Sequence, residues 1–200
     1  ALRVGLLLIA PQGLDILFDE DKIEHGRNFM NKLWNSARFV MLSLGAAGGP
    51  QGWSSLPNLT HRQDKWIISR LNQIIGQVNA NLENFELGEA QKKIYEFLWG
   101  EFCDWYIEMA KIRLSNGEDP SPLPVLAHVL ERTLRLLHPF MPFITEELWS
   151  YFKPDGSSDL IIMPWIKNGS IQDKDAEDNM DILKVIKSFG ELILSNIDLP

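Results

Sequence analysis

Cysteine is almost absent: there is one in 200 residues. A single thiol excludes a disulfide framework and a cysteine-built zinc site within the chain, and it fits a reducing compartment. Long apolar runs are missing too. Stretches such as Gly5–Ala10 fall far short of the roughly 20 residues a membrane helix needs. The start carries no basic segment followed by an apolar core and a cleavage site, so a cytoplasmic, non-secreted protein is expected. Histidine is sparse. His25, His61, His128 and His138 show neither H-x-x-x-H nor H-x-H spacing, so no metal site is expected. Positive charge is the minority sign, with 19 Lys+Arg against 27 Asp+Glu and a net charge of -8. That balance argues against a broad nucleic-acid binder, unless the local charge map differs from the total. An initiator Met is lacking as well, and Ala1–Leu8 opens inside a helical pattern. The simplest expectation is a piece of a larger protein.

What is present reads as globular. Hydrophobic residues make up 45% and charged residues 23%, which disfavours wholesale disorder. Residues 1–10 look like the end of a helix, broken by Pro11-Gln12-Gly13, with Leu14–Phe18 extended. A long helix is expected from about Asp21 to Leu44, its positive end marked by Asp19–Asp21. Gly45–Gly52 reads as a loop, and it lacks the Lys-Ser/Thr of a phosphate cradle. Thr60 and Gln63 form a capping-box pattern for a helix reaching about Asn81. The next helix spans about Leu87–Leu114. Ser121 as cap and Pro122 as first residue start one ending near Leu137, and Pro142 opens another ending near Phe152. Leu160–Trp165 reads as extended, and a last helix covers about Ala176–Asn196. Long amphipathic segments with short connections predict an all-α, antiparallel helix bundle. The expected division is a connector over 1–20, the bundle over 21–152, and an extended segment plus helix over 153–200 packing on the bundle.

The helix of residues 21–44 carries the most information. With Arg27 set at zero and about 100° per residue, Phe29, Met30, Leu33, Trp34, Ala37, Val40, Met41 and Leu44 fall between about 200° and 340°. They form a core-facing stripe. Arg27, Asn28, Asn31, Asn35 and Arg38 fall between about 0° and 100°, with Phe39 and Lys32 just beyond and Leu42 among them. Asn offers a donor and an acceptor, and Arg a planar fork of donors. Phe39 supplies a surface for a splayed base, and such mixtures read single-stranded RNA loops. The plainer reading is an Asn network cross-linking a neighbouring helix, with Phe39 packed beneath it. Local charge favours RNA. From Lys22 to Leu44 four cations face one carboxylate, a local +3, while residues 153–200 hold five Lys and nine acids.

Other candidates are weaker. Glu146-Glu147 could suggest acid/base work, but acids in a first turn stabilise the helix dipole, and a capping role is expected. Cys103 and Asp104 lie mid-helix beside Trp105 and Tyr106, where a packed core cysteine is the simpler reading. The run Tyr95, Phe97, Leu98, Trp99, Phe102, Trp105, Tyr106 covers more than one helix face and is expected in the core. Asn58-Leu59-Thr60 and Asn168-Gly169-Ser170 match a glycosylation sequon, without other signs of secretion.

Four ordered blocks carry a family resemblance. Gly26-Arg27-Asn28-Phe29-Met30-Asn31-Lys32-Leu33-Trp34-Asn35-Ser36-Ala37-Arg38-Phe39-Val40 resembles the signature of the anticodon-binding domain of the valyl-tRNA synthetases. Asp64–Asn72, Tyr95–Tyr106 and Leu137–Trp149 agree in order, and Ala1-Leu2-Arg3 resembles the stretch just after that family's KMSKS loop. The Leu137–Trp149 block is shared across class I synthetases with aliphatic substrates. The Asn-Lys-Leu-Trp-Asn block is more specific to the valine enzymes. The resemblance implies the helical bundle of that class, and a larger enzyme that activates valine with ATP and transfers it to tRNA(Val). Neither a HIGH-like nor a KMSKS-like motif is present, so no catalytic residue and no cofactor is expected here. ATP and Mg would belong to a catalytic domain elsewhere. Carried over, Asn31, Asn35 and Arg38 would touch anticodon bases or backbone, and Phe39 would stack on a base. Lys22, Arg27 and Lys32 would meet phosphates on charge grounds. Leu17 and Asp21 stand where family members often carry basic residues, and the family's C-terminal coiled-coil arm is not seen. A monomer is expected. Rival readings are the same domain of an isoleucine enzyme, a helical protein-interaction scaffold, and a stand-alone enzyme using Glu146, Glu147 or Asp104.

Overall fold

The computed structural model describes residues 2–9, 20–46, 56, 58–115, 119–154, 156–167 and 169–196. Among them every regular element is helical. They are α1 (Leu2–Ile9), α2 (Glu20–Ala46), α3 (Arg62–Glu83), α4 (Leu87–Glu96), α5 (Glu108–Ser115), α6 (Pro122–Leu137), α7 (Pro142–Phe152) and α8 (Lys174–Asn196). A π-helical stretch, Phe97–Ile107, joins α4 to α5, and a 3-10 turn, Leu160–Ile162, comes after α7. The expected extended segment Leu14–Phe18 and residues 47–52 of the expected loop lie outside the described residues.

Helix α6 is central, with twelve of its sixteen residues buried, including Leu126, Val129, Leu130 and Leu134. Against it pack α2, α3 and α7. Helix α3 buries Trp66, Ile67, Leu71, Ile75 and Val78, and it also contacts α4, the π stretch and α8. Helix α1 lies on α2 and α4, tied by Gln91 Nε2 donating to the Val4 carbonyl at 3.0 Å.

Four local expectations are corrected. The Leu87–Leu114 helix is continuous, but its middle is wound as a π-helix. Residues five apart diverge by about 140° on an α-helix. They come round to the same side where hydrogen bonds run i→i+5. Phe97, Phe102 and Ile107, and likewise Leu98 and Cys103, have that spacing, and all five are buried. The wider winding gathers them on one side. Second, α3 starts after His61, not at the Thr60 capping box: Asp64 and Lys65 both donate backbone N–H to the His61 carbonyl. Third, Ser121 precedes α6 with helical backbone angles and makes no side-chain cap; its hydroxyl donates to Asp119 Oδ1. Fourth, the run from Leu160 opens with a 3-10 turn.

A buried ionic clamp joins α3, the π stretch and α5. Asp64 accepts from the Tyr106 hydroxyl at 2.7 Å and from Arg113 Nη1 at 2.8 Å and Nη2 at 3.2 Å. Burial, then the adjacent Asp64 charge, pushes the Tyr106 hydroxyl well above its ordinary pKa. Arg113 Nε also holds Asp119 Oδ2 at 2.7 Å.

The last part of the chain is fastened to α3 by a polar stripe. Asn79 Nδ2 donates to the Ile166 carbonyl, and Asn79 Oδ1 accepts from Trp165 Nε1 at 2.7 Å. Asn72 donates to the Ile171 carbonyl at 2.8 Å and accepts from Gly169 N–H at 3.1 Å. Ser69 accepts from Asp173 N–H at 2.9 Å and donates to Glu177, which Gln73 Nε2 also reaches at 2.7 Å. Gly169 allows this close approach, since a Cβ there would lie 2.8 Å from Asn72 Oδ1 and push that side-chain amide aside.

Candidate nucleic-acid interface

Helix α2 is anchored by Phe29, Leu33, Ala37, Val40 and Leu44, each at most 1% exposed. Their 3.6-residue period fixes the rotation of the helix and turns the opposite arc outward. Arg27, Asn28, Asn31, Asn35 and Arg38 all lie on that exposed arc. Trp34, assigned above to the core stripe, is 40% exposed and joins the edge of the strip, and Leu42 is also exposed. Asn31, Asn35 and Arg38 are spaced at i, i+4 and i+7, about 10 Å along the axis. Among the described residues none of Asn28, Asn31, Asn35 and Arg38 has a hydrogen-bond or ion-pair partner. Among the described residues α2 therefore shows no cross-linking Asn network.

The other named residues differ from one another. Arg27 pairs with Glu24 at 2.7 Å, with both side chains well exposed, an arrangement worth little. Lys32 is engaged: its Nζ lies 2.7 Å from Asp104 Oδ1 and 4.9 Å above the Trp99 ring. Burial pulls the Lys32 pKa down, but the hydrogen bond to Asp104 and its charge leave it raised. The side chain of Lys22 lies outside the described residues. Phe39 is half-buried against the core, with Lys111 Nζ of α5 5.5 Å above its ring. Sequence reasoning missed Lys111, which has no periodicity signal tying it to α2.

The remaining candidates are accounted for by packing. Glu146 and Glu147 do not serve as an N-terminal cap pair. Glu146 Oε1 accepts the Leu160 N–H at 3.0 Å, fixing the 3-10 turn, and Glu147 accepts from the Tyr151 hydroxyl at 2.8 Å. Both border a shallow cavity of about 450 Å³ with His138 and Asp159, and Asp104 is not among its lining residues. The three carboxylates proposed for a stand-alone enzyme are thus not gathered in one site. Cys103 is buried, and burial raises its thiol pKa to about 11, which leaves it inert. Among the described residues no three His, Cys, Asp or Glu side chains come together as metal ligands. No helix among them is long and apolar enough to cross a membrane.

Comparison with known proteins bears on this face. The profile of the family described as "Anticodon-binding domain of tRNA ligase" matches residues 64–197. The chain is 43% identical over 199 residues to a valine–tRNA ligase of Dehalococcoides mccartyi (strain CBDB1), covering 96% of the chain and 22% of that protein. It is 39% identical over 205 residues to a valine–tRNA ligase of Bacillus cereus (strain ATCC 10987), covering 100% of the chain and 23% of the relative. The chain thus spans less than a quarter of the length of these relatives. The profile match begins beyond α2, whereas the second alignment runs through it. Among solved structures, the LeuRS of Agrobacterium radiobacter K84 in ternary complex with tRNA and LeuAMS matches with a TM-score of 0.61 at 22% identity, covering 88% of this chain and 20% of that one. That likeness shows a shared fold.

Proposed function

Because the chain belongs to the family of anticodon-binding domains of tRNA ligases, we propose that the exposed arc of α2 is where it holds the anticodon arm of tRNA. The tRNA is that of valine, a reading supported by the valine–tRNA ligases that align over nearly the whole chain. In this reading the domain positions the anticodon arm while the acceptor end reaches a catalytic domain in a longer protein. There valine is activated with ATP and Mg and joined to tRNA(Val). The chain itself contributes recognition and no catalytic group. It works as a monomer in the cytoplasm.

One observation carries the reading. Asn28, Asn31, Asn35 and Arg38 share a solvent-facing strip whose donors and acceptors have no partner among the described residues, at the border of the half-buried Phe39 ring. Arg38 offers a fork for phosphate or a base edge, Asn31 and Asn35 offer paired donor and acceptor groups, and Phe39 offers a stacking surface. Arg27 supplies a phosphate contact, its exposed pair with Glu24 being cheap to break. Titration of the full chain with tRNA(Val) transcripts at two salt concentrations tests this. Arg38→Ala and Phe39→Ala are each expected to weaken binding by about 1–3 kcal/mol. Swapping the anticodon to that of isoleucine separates the two synthetase readings. Binding indifferent to both anticodon and salt favours a protein-interaction scaffold.

A further inference from the structure

We propose that Lys111, on α5, is a second-helix RNA contact: a displaceable cover over Phe39 that gives way to a nucleotide and takes up a backbone phosphate. This rests on the assignment of the α2 arc to RNA.

Phe39 packs part of its surface against the core, and Lys111 Nζ sits 5.5 Å above its ring. A base that stacks on this ring has to take the place of the ammonium group. The hold on that group is weak. Its carboxylate partner Glu108 lies 2.7 Å away, but both side chains are about half exposed, 47% and 58%. Exposed pairs one helical turn apart contribute little, and an exposed cation–π contact is similarly modest. A lysine ammonium on a flexible stem can then swing a few ångströms to a phosphate while a base fills the vacated face. The neighbouring Lys32 makes the contrast. It repeats the arrangement over Trp99, yet it is more buried, at 33% exposed, and its hydrogen bond to Asp104 bridges two helices. Lys32 is a strut; Lys111 is the movable cation of the pair. The contact surface therefore takes in Lys111 of α5 as well as α2.

The test is a salt titration of tRNA(Val) transcript binding by the full chain, with Lys111→Gln, Lys111→Arg, Glu108→Gln and Arg38→Ala compared. Loss of one phosphate contact lowers the slope of log affinity against log salt by about 1. Lys111→Gln is expected to weaken binding several-fold at low salt with that reduced slope, Lys111→Arg to restore the slope, and Glu108→Gln to tighten binding. An unchanged slope in Lys111→Gln, with binding still lost in Arg38→Ala, overturns the role of Lys111 and leaves the α2 face standing. No effect in any variant overturns both.

Discussion

Two helices of this bundle carry similar polar stripes and use them in opposite ways. On α2 the stripe is Asn28, Asn31, Asn35 and Arg38; on α3 it is Ser69, Asn72, Gln73 and Asn79. The spacing is helical in both, and both are rich in side-chain amides. The α3 stripe is committed internally. Asn72, 8% exposed, donates to Ile171 and accepts from Gly169, and Ser69 and Gln73 converge on Glu177. The α2 stripe faces solvent without a partner among the described residues. Composition and period identify a polar face. Only the path of the rest of the chain decides whether that face is glue or a surface. On α3 the returning segment from Trp165 to Glu177 supplies the partners; over α2 the described residues supply none.

The comparison can be broken at several depths. The largest effect belongs to the most committed polar group. Asp64→Ala leaves Arg113 and the Tyr106 hydroxyl without their shared acceptor, and breaking a buried pair by removing one partner costs about 3–5 kcal/mol. Urea unfolding should show that loss. A midpoint close to the parent's would mean the clamp is not a stabilising element.

Next comes His128. Burial first, with the nearby Arg132 cation, lowers its pKa to about 4. A depressed folded pKa means the unfolded chain binds the proton more readily, so this contribution is present above the ordinary histidine pKa and is lost as pH falls. Stability is expected to decline between about pH 6.5 and 4, and a His128→Leu variant should flatten the decline. An equally steep profile in that variant would assign the decline to other groups.

The smallest effects separate the two stripes directly. Asn72→Ala strands the Ile171 carbonyl and the Gly169 N–H, and a cost of about 1–3 kcal/mol is expected. Asn35→Ala removes no bond to any described residue, so its stability should stay within about 0.5 kcal/mol of the parent. Matched unfolding curves check both. Equal losses would dissolve the distinction.

How much of this was legible in the sequence depends on the range of each signal. Proline and periodicity placed α6 and α7 within a residue of their observed Pro122–Leu137 and Pro142–Phe152 bounds. The same periodicity set which arc of α2 points outward, because Phe29, Leu33, Ala37 and Val40 leave only one rotation that buries them. The π stretch did not yield to a 3.6-residue template, since its signal is a spacing of five. The α3 stripe passed unnoticed because each of its bonds joins residues about a hundred positions apart, as Asn72 to Ile171 does. Capping read from Thr60 and Glu146 failed as well. For Thr60 the helix simply starts two residues later, at Arg62, while Glu146 is drawn to the backbone of Leu160. Lys111 and Phe39 likewise meet only through the packing of two helices.

The central claim is that the open α2 stripe binds tRNA and the closed α3 stripe does not. Binding of a tRNA(Val) transcript by Asn35→Ala/Arg38→Ala and by Asn72→Ala, at equal salt and with folding verified, tests it most directly. The account predicts at least about tenfold weaker binding for the α2 double variant, and parental affinity for Asn72→Ala. Parental affinity in the α2 variant, or an equal loss in both, would contradict it.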